Sequence, residues 1–236
     1  MEQFPTGATS VMVCTAPTHG AGAGSIPSVA LRDLVVRPIP IKVAKALLIR
    51  EHYLHSMPGG TQLAFGVFAD LRLLGAATLG VGPKNGHRLV EGATPDDVIT
   101  LSRLWLTDEL PPNSESRVLS FVLRSLRKHT GLRFVLTYAD PAAGHLGIIY
   151  QASGWLYTGL SEAMPLLDLG DGVRHHSRTL AHAYGTHSRR HFARHGVSVR
   201  LIEQAAKFRY LFPLDPTVRD RLTVPVLPYP KREAAS

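Results

Sequence analysis

Apolar residues recur along this chain in two periods, and the switches between them predict an ordered series of strands and helices. Residues 34–39, Leu-Val-Val-Arg-Pro-Ile, form a short β-branched run that predicts a first strand. Ile41, Ala44, Leu48, His52 and His55 follow at helical spacing, predicting a helix over 41–55 that Pro58-Gly-Gly terminates and that turns His52 the way Leu48 points. Runs 61–69 and 72–82, separated by Asp70-Leu71, predict an antiparallel hairpin. Residues 98–106, Val-Ile-Thr-Leu-Ser-Arg-Leu-Trp-Leu, are the strongest strand pattern, with Arg103 and Trp105 on one face. Val118, Leu119, Val122, Ser125 and Leu126 then mark an amphipathic helix ending near His129, with Asn113 or Ser114 as its N-cap.

The stretch 134–159 organises the rest. Its apolar opening, 134–138, predicts a buried strand, and Trp155-Leu-Tyr-Thr predicts a second one. Leu146, Ile149 and Tyr150 between them fit one short helix stopped by Gly154. Asp140-Pro141 falls where the first of these strands empties into its loop, and open α/β sheets place ligands at the carboxyl ends of strands. Two readings of this carboxylate stand side by side at this point: a helix cap, or a site residue.

Outside these elements the pattern is weaker. Residues 1–32 are rich in Gly, Ala, Ser, Thr and Pro without a sustained period, so an unstructured arm is expected over 1–33. Gly80-Val-Gly-Pro-Lys-Asn-Gly-His-Arg lacks the lysine-serine ending of a phosphate loop, and a loop over the site is expected instead. Beyond residue 173 a short helix over 186–196, strands over 197–202 and 208–212 and an extended proline-containing tail are expected. The chain therefore divides into an arm over 1–33, a core over 34–173 and an extension over 174–236.

Charge sharpens that division. Of 26 Lys and Arg and 18 Asp and Glu, residues 174–236 hold 12 basic against 4 acidic, leaving 14 of each sign in residues 1–173. The net charge of +8 is thus wholly carboxyl-terminal, where half of the 12 histidines also lie. An arginine-dominated block beside a neutral core suits phosphate-backbone binding, and double-stranded DNA is the expected partner, contacted through Arg189, Arg190, Arg194 and Arg209. His187 and His191 have the spacing of a shared metal site on a helix but no third ligand, and read as part of this basic face. A single cysteine, Cys14, argues against a disulfide framework and suits a reducing compartment. No run of eighteen apolar residues and no basic-then-apolar leader is present, so a cytoplasmic protein without membrane contact is expected.

Asn113, Ser114 and Ser116, with the free amides of the helix they begin, form a candidate anion pocket that Arg117, Arg124 and Arg127 would support. The order of these elements, closing on Tyr150-Gln-Ala-Ser-Gly-Trp, resembles the GNAT acyltransferase fold: a mixed, centrally twisted sheet with flanking helices, here with a basic extension. That fold implies acetyl-coenzyme A or a related acyl donor at Asn113, Ser114, Ser116 and Arg117. The glycine-rich pyrophosphate signature of the fold is absent, and Ser114 and Ser116 stand near where its glycines would be.

More specifically, Glu51-His-Tyr-Leu-His, Ser102-Arg-Leu-Trp, Asn113-Ser-Glu-Ser-Arg, Tyr138-Ala-Asp-Pro, Ile149-Tyr-Gln-Ala-Ser-Gly-Trp and Phe208-Arg-Tyr-Leu-Phe resemble, in this order, the Mom family of phage DNA-modifying proteins. The resemblance implies conversion of adenine in DNA to an N6-carbamoylmethyl form, protecting phage DNA from restriction. It also implies that His52, Tyr53, Ser114, Asp140 and Tyr150 are site residues, with iron at His52, Tyr53 and Asp140. In such a reaction Asp140 accepts a proton from the adenine amine and Tyr150 is general acid to the leaving group. His52 and Tyr53 either orient the base or hold a metal, the metal-free role being favoured, and Tyr138, Trp155 or Tyr157 would stack an extruded base. A small-molecule acyltransferase of the same fold and a non-catalytic DNA-binding protein are the alternatives.

Overall fold

The computed structural model describes residues 29–231 apart from 164, 176 and 187. Most of the expected amino-terminal arm, residues 1–28, and His187 of the histidine pair therefore lie outside the described residues. From Leu31 to Asp33 the chain forms a 3-10 turn that leads into the first strand.

The first half is a meander around one long helix. Strand β1 (Val35–Pro38) is followed by α1 (Ile41–Glu51), which ends four residues before the expected His55 because His52 turns to extended backbone. Strands β2 (Thr61–Ala69) and β3 (Arg72–Gly80) form the expected hairpin, its turn carried by Asp70 at φ 53°. Strand β4 (Val98–Leu106) leads to α2 (Ser114–His129), β5 (Phe134–Ala139), the short α3 (Ile148–Ala152) and β6 (Leu156–Leu160).

Between β6 and the last strand lies an inserted unit. It contains β7 (Leu166–Asp168), β8 (Arg174–His175), α4 (Ser177–Tyr184), α5 (Arg189–Arg194) and β9 (Arg200–Ile202). The three strands pair in the order β8-β7-β9, and Leu167, Leu180 and Phe192 make its own small core. Of these elements, β7, β8 and α4 are not predicted by the sequence, whose period is broken there by Gly170-Asp-Gly172.

Strand β10 (Phe208–Pro213) then returns to the main sheet, whose seven strands run β1-β2-β3-β4-β5-β10-β6. A strand of the expected extension, 174–236, thus lies inside the core sheet, antiparallel to both β5 and β6. Phe208 and Tyr210 pack with Tyr157, and Tyr210 and Leu211 are fully buried, which is why this strand is drawn into the interior.

One pair in the sheet is parallel. Strands β4 and β5 pair only at Val98–Phe134, Ile99–Val135 and Thr100–Leu136, after which their carboxyl ends are unpaired with each other. In β4 the pairing with β3 skips Ser102, so Leu101 packs into the α2-side core while Arg103 and Trp105 face the side on which α1 packs. Val118, Leu119, Val122, Leu123 and Leu126 bury the inner stripe of α2 against one face, and Ala44, Leu47 and Leu48 of α1 cover the other. Both α2 and α3 thus begin near the opening between β4 and β5. The glycine-rich run after β3 folds into a 3-10 turn, Gly86–Leu89, with Gly86 beside Leu136 of β5.

Candidate active site

The opening between β4 and β5 gathers residues from five parts of the chain. Asp140 follows the last residue of β5; its Oδ1 accepts the Ala142 N–H at 3.0 Å, so the capping role is real. Its Oδ2 lies 3.1 Å from Nζ of Lys207, which the inserted unit delivers just before β10. The Ser161 and Lys207 backbones fix that lysine: Ser161 N donates to Lys207 O, and Lys207 N donates to the Ser161 hydroxyl.

From α1 come His52 and Tyr53. His52 is 5% exposed and its Nδ1 accepts the Leu54 N–H at 3.1 Å, which leaves the ring proton on Nε2. Burial first, then the nearby Arg103, His145 and His55, push its pKa down to about 4, so the imidazole is neutral at pH 7. Tyr53 stacks on it at 4.5 Å between centroids and 26° between planes. Burial and the Asp140 charge raise the Tyr53 phenol above its ordinary value, with Arg103 opposing.

Arg103 enters from β4, its Nη1 donating to the Ser102 carbonyl at 2.8 Å. Its Nε is buried without a hydrogen-bond partner, and among the described residues no carboxylate pairs with it. Burial lowers the guanidinium from its ordinary pKa. Tyr150 comes from α3, its enclosed hydroxyl bonded to Thr137, which itself donates to Leu101 O at 3.2 Å across the start of the opening. Burial raises this phenol too, so it carries its proton at neutral pH.

The sequence-expected set Asp140, Tyr150, His52 and Tyr53 is therefore brought together. Arg103, His145 and Lys207 join it and were not expected. Arg103 had a signal, a charge inside the most apolar strand; Lys207 had none, because its approach depends on where β10 inserts.

The expected anion pocket is arranged differently. Ser114 is 1% exposed and its hydroxyl donates to Pro111 O at 2.7 Å, so it closes the helix start on itself. Asn113 holds the N-cap position at φ 71° without a side-chain cap bond, and exposed Arg117 reaches the Arg32 carbonyl at 3.5 Å. Ser116 instead lines a groove of about 480 Å³ between α2 and α3 together with Ser120, Arg124, Arg127 and Ser153. Arg124 donates to the Ser120 hydroxyl at 2.7 Å, Arg127 to the Leu214 carbonyl at 2.9 Å and the Ser153 hydroxyl to the Ile149 carbonyl at 2.7 Å, so the groove offers a phosphate-bearing acyl carrier such as coenzyme A the charge of two guanidinium groups and only the donors these bonds leave.

Iron, implied at His52, Tyr53 and Asp140, is not matched by these side chains. The Nδ1 of His52 is taken by a backbone donor, Asp140 is paired with Lys207, Arg103 adds positive charge, and the raised Tyr53 pKa opposes a phenolate ligand. Among the described residues no group of three or more His, Cys, Asp or Glu is positioned to hold a metal.

Of the arginines expected on DNA, Arg189, Arg190 and Arg194 are exposed on α5, the first two lining a shallow pocket of about 350 Å³ with Ser198. Arg209 differs. It is half-buried in β10 and bonded to Thr158 through Nε at 3.0 Å and Nη2 at 2.7 Å, which ties β10 to β6. No described helix is long and apolar enough to cross a membrane.

A mixed sheet whose single parallel pair opens at its carboxyl ends, flanked by helices on both faces, is the GNAT-like architecture expected from the element order. Within that class the chain belongs to the Mom protein family, whose model matches residues 33–231. It is 29% identical over 214 residues to the methylcarbamoylase mom of Escherichia phage Mu, covering 88% of each chain. Among solved structures it is similar to a GNAT family N-acetyltransferase from Escherichia coli in complex with CoA, at 16% identity and TM-score 0.45, covering 85% of this chain and 91% of that one. It is also similar to Arabidopsis thaliana NAA60 in complex with a bisubstrate analogue, at 10% identity and TM-score 0.46, covering 76% and 97%. At these scores no residue is carried across from either.

Proposed function

We propose that the protein is a transferase that modifies DNA at the N6 amine of adenine, carbamoylmethylating it and so protecting phage DNA from restriction; the name of the phage Mu relative, methylcarbamoylase, supports the transferase part of this reading. The observation that carries this reading is Asp140: a carboxylate just past the end of β5, close enough to Tyr53 of the stacked His52–Tyr53 pair to join burial in raising its phenol pKa. The adenine amine is a poor nucleophile because its lone pair is delocalised into the ring. A carboxylate that accepts its proton as the new bond forms removes that penalty, and Asp140 has the position for it. Lys207 pairs with this carboxylate, and Tyr150, protonated and held by Thr137, is the group available to return a proton to the leaving group. The Arg103 guanidinium, without a carboxylate of its own, suits negative charge that develops on the donor.

The α2/α3 groove supports a donor of the acyl-coenzyme A type. A carbamoylmethyl group joins N6 through its methylene and contains an amide nitrogen, so acetyl transfer, which forms an N–carbonyl bond, does not make it: the donor or a second step supplies both the N–CH2 linkage and the nitrogen.

Expression of the chain in bacteria, digestion of their DNA to nucleosides and mass spectrometry test the reading. A heavier deoxyadenosine altered at N6 is expected, together with poor cutting by restriction enzymes that contact that amine in the major groove. Asp140→Asn retains shape without the acceptor charge, and should abolish the product while DNA binding survives. Unmodified adenine from the soluble wild-type protein, with turnover of acyl-coenzyme A on small amines instead, would overturn it.

A further inference from the structure

Of the three aromatic residues expected to stack an extruded base, Trp155 and Tyr157 are buried and Tyr138 is half-buried. Trp155 is 0% exposed and packed between Tyr150 and Phe212, and Tyr157 is buried against Phe208 and Tyr210. Tyr138 packs into the second core cluster with Phe134 and Leu136. The tyrosine near Asp140 whose ring is most open to solvent among those described is Tyr53, 54% exposed.

Its surroundings are built. His52 backs the ring in a stacked arrangement and is itself fixed by the Leu54 N–H. The turn that carries Tyr53 is pinned again at His55, which sits at φ 42° and whose Nδ1 meets the Ile49 carbonyl at 3.0 Å. His145, whose backbone N–H donates to the Asp140 carbonyl at 3.0 Å, brings a second ring to 5.4 Å from Tyr53 at a tilt of 55°. An exposed tyrosine held by a buried histidine adds little to the core. As a preorganised flat surface next to a proton acceptor it has a use.

We propose that Tyr53, backed by His52 and walled by His145, is the stacking platform that receives an unpaired purine base and presents its exocyclic amine to Asp140. This rests on the reading that the acceptor is adenine in DNA. It assigns Tyr53 a binding role that needs the ring and not the phenol, in place of a metal-ligand role. Base–aromatic stacking tolerates any base, so the platform supplies affinity for an unstacked base, and discrimination falls to the hydrogen bond at Asp140.

The probe is a short duplex carrying one bulged adenine, compared with the same duplex carrying an abasic residue at the bulge. The wild-type protein is expected to prefer the adenine bulge by about 5- to 150-fold, the range that loss of one stacked base represents. Tyr53→Leu should erase the preference while leaving affinity for the abasic duplex unchanged, and Tyr53→Phe should retain it. Because the ring is exposed, both variants should melt with the wild type, which circular dichroism checks. Equal wild-type affinity for the two duplexes, or equal loss in Tyr53→Phe and Tyr53→Leu, overturns the platform. Wild-type levels of modified deoxyadenosine in cells expressing Tyr53→Leu would overturn it while leaving the proposed function intact, whereas failure of that function is read from the wild-type protein alone.

Discussion

His52 shows how a single side chain couples the site to the fold. Its folded pKa of about 4 lies below the ordinary 6.5, so between these values the unfolded chain binds more protons. Stability is therefore full above pH 6.5 and falls as pH drops towards 4, by on the order of 2–3 kcal/mol for this residue. Urea unfolding of wild type and His52→Asn at pH 7, 6, 5 and 4.5 should show the wild type losing more stability on acidification, since asparagine offers the Leu54 N–H an acceptor without titrating. Equal pH slopes would mean that His52 is not held neutral. The helical spacing of His52 with Leu48 was legible in the sequence. Its lowered pKa was not, because that depends first on burial in the folded chain and then on Arg103 and His145, which arrive from β4 and from the loop after β5.

At the level of elements, α3 is five residues long and has no buried residue of its own, so its position is set by what grips it. Gly147 at its start has φ 75°, and a Cβ there would stand 2.6 Å from the Tyr210 ring and 3.0 Å from Tyr150. The Tyr210 hydroxyl donates to the Leu146 carbonyl, and Gln151 Nε2 bonds both Tyr210 and the Pro230 carbonyl of the carboxyl-terminal tail. Gly147→Ala adds a steric clash to backbone strain and should cost about 2–4 kcal/mol and displace Tyr150, with loss of modified adenine. Gly154→Ala shares the positive φ, 74°, but has nothing within 4 Å of the added carbon, so it should cost only about 1 kcal/mol and retain activity. Thermal melts of the two variants decide this; equal losses would assign the whole effect to backbone strain.

For the whole molecule, the charge excess and the fold divide the carboxyl-terminal region between them. Arg189, Arg190 and Arg194 project from α5 of the inserted unit, whereas Arg209 is spent on Thr158 within the sheet. Reversing the first three to Glu should weaken binding to duplex DNA and reduce the salt slope of log K by about 3. Arg209→Ala should instead lower the melting temperature with little change in slope. Filter binding across a salt series separates the two, and an unchanged slope in the triple variant would move the DNA contact away from α5.

The sequence by itself determined the order and kind of the main elements and the placement of Asp140 at a strand end, because burial imposes a period of two on strands and near four on helices wherever a segment packs. It also marked the basic region, since charge is read directly from composition. Tertiary structure alone decided that β10 inserts between β5 and β6, that Lys207 thereby meets Asp140, that Ser102 is skipped so that Arg103 faces His52, and that Tyr53 rather than Trp155 offers its ring. The reason is physical: periodicity records which face of a segment is buried, but a strand's neighbours are chosen by packing and hydrogen bonding between segments far apart in the chain, and that choice fixes which side chains meet.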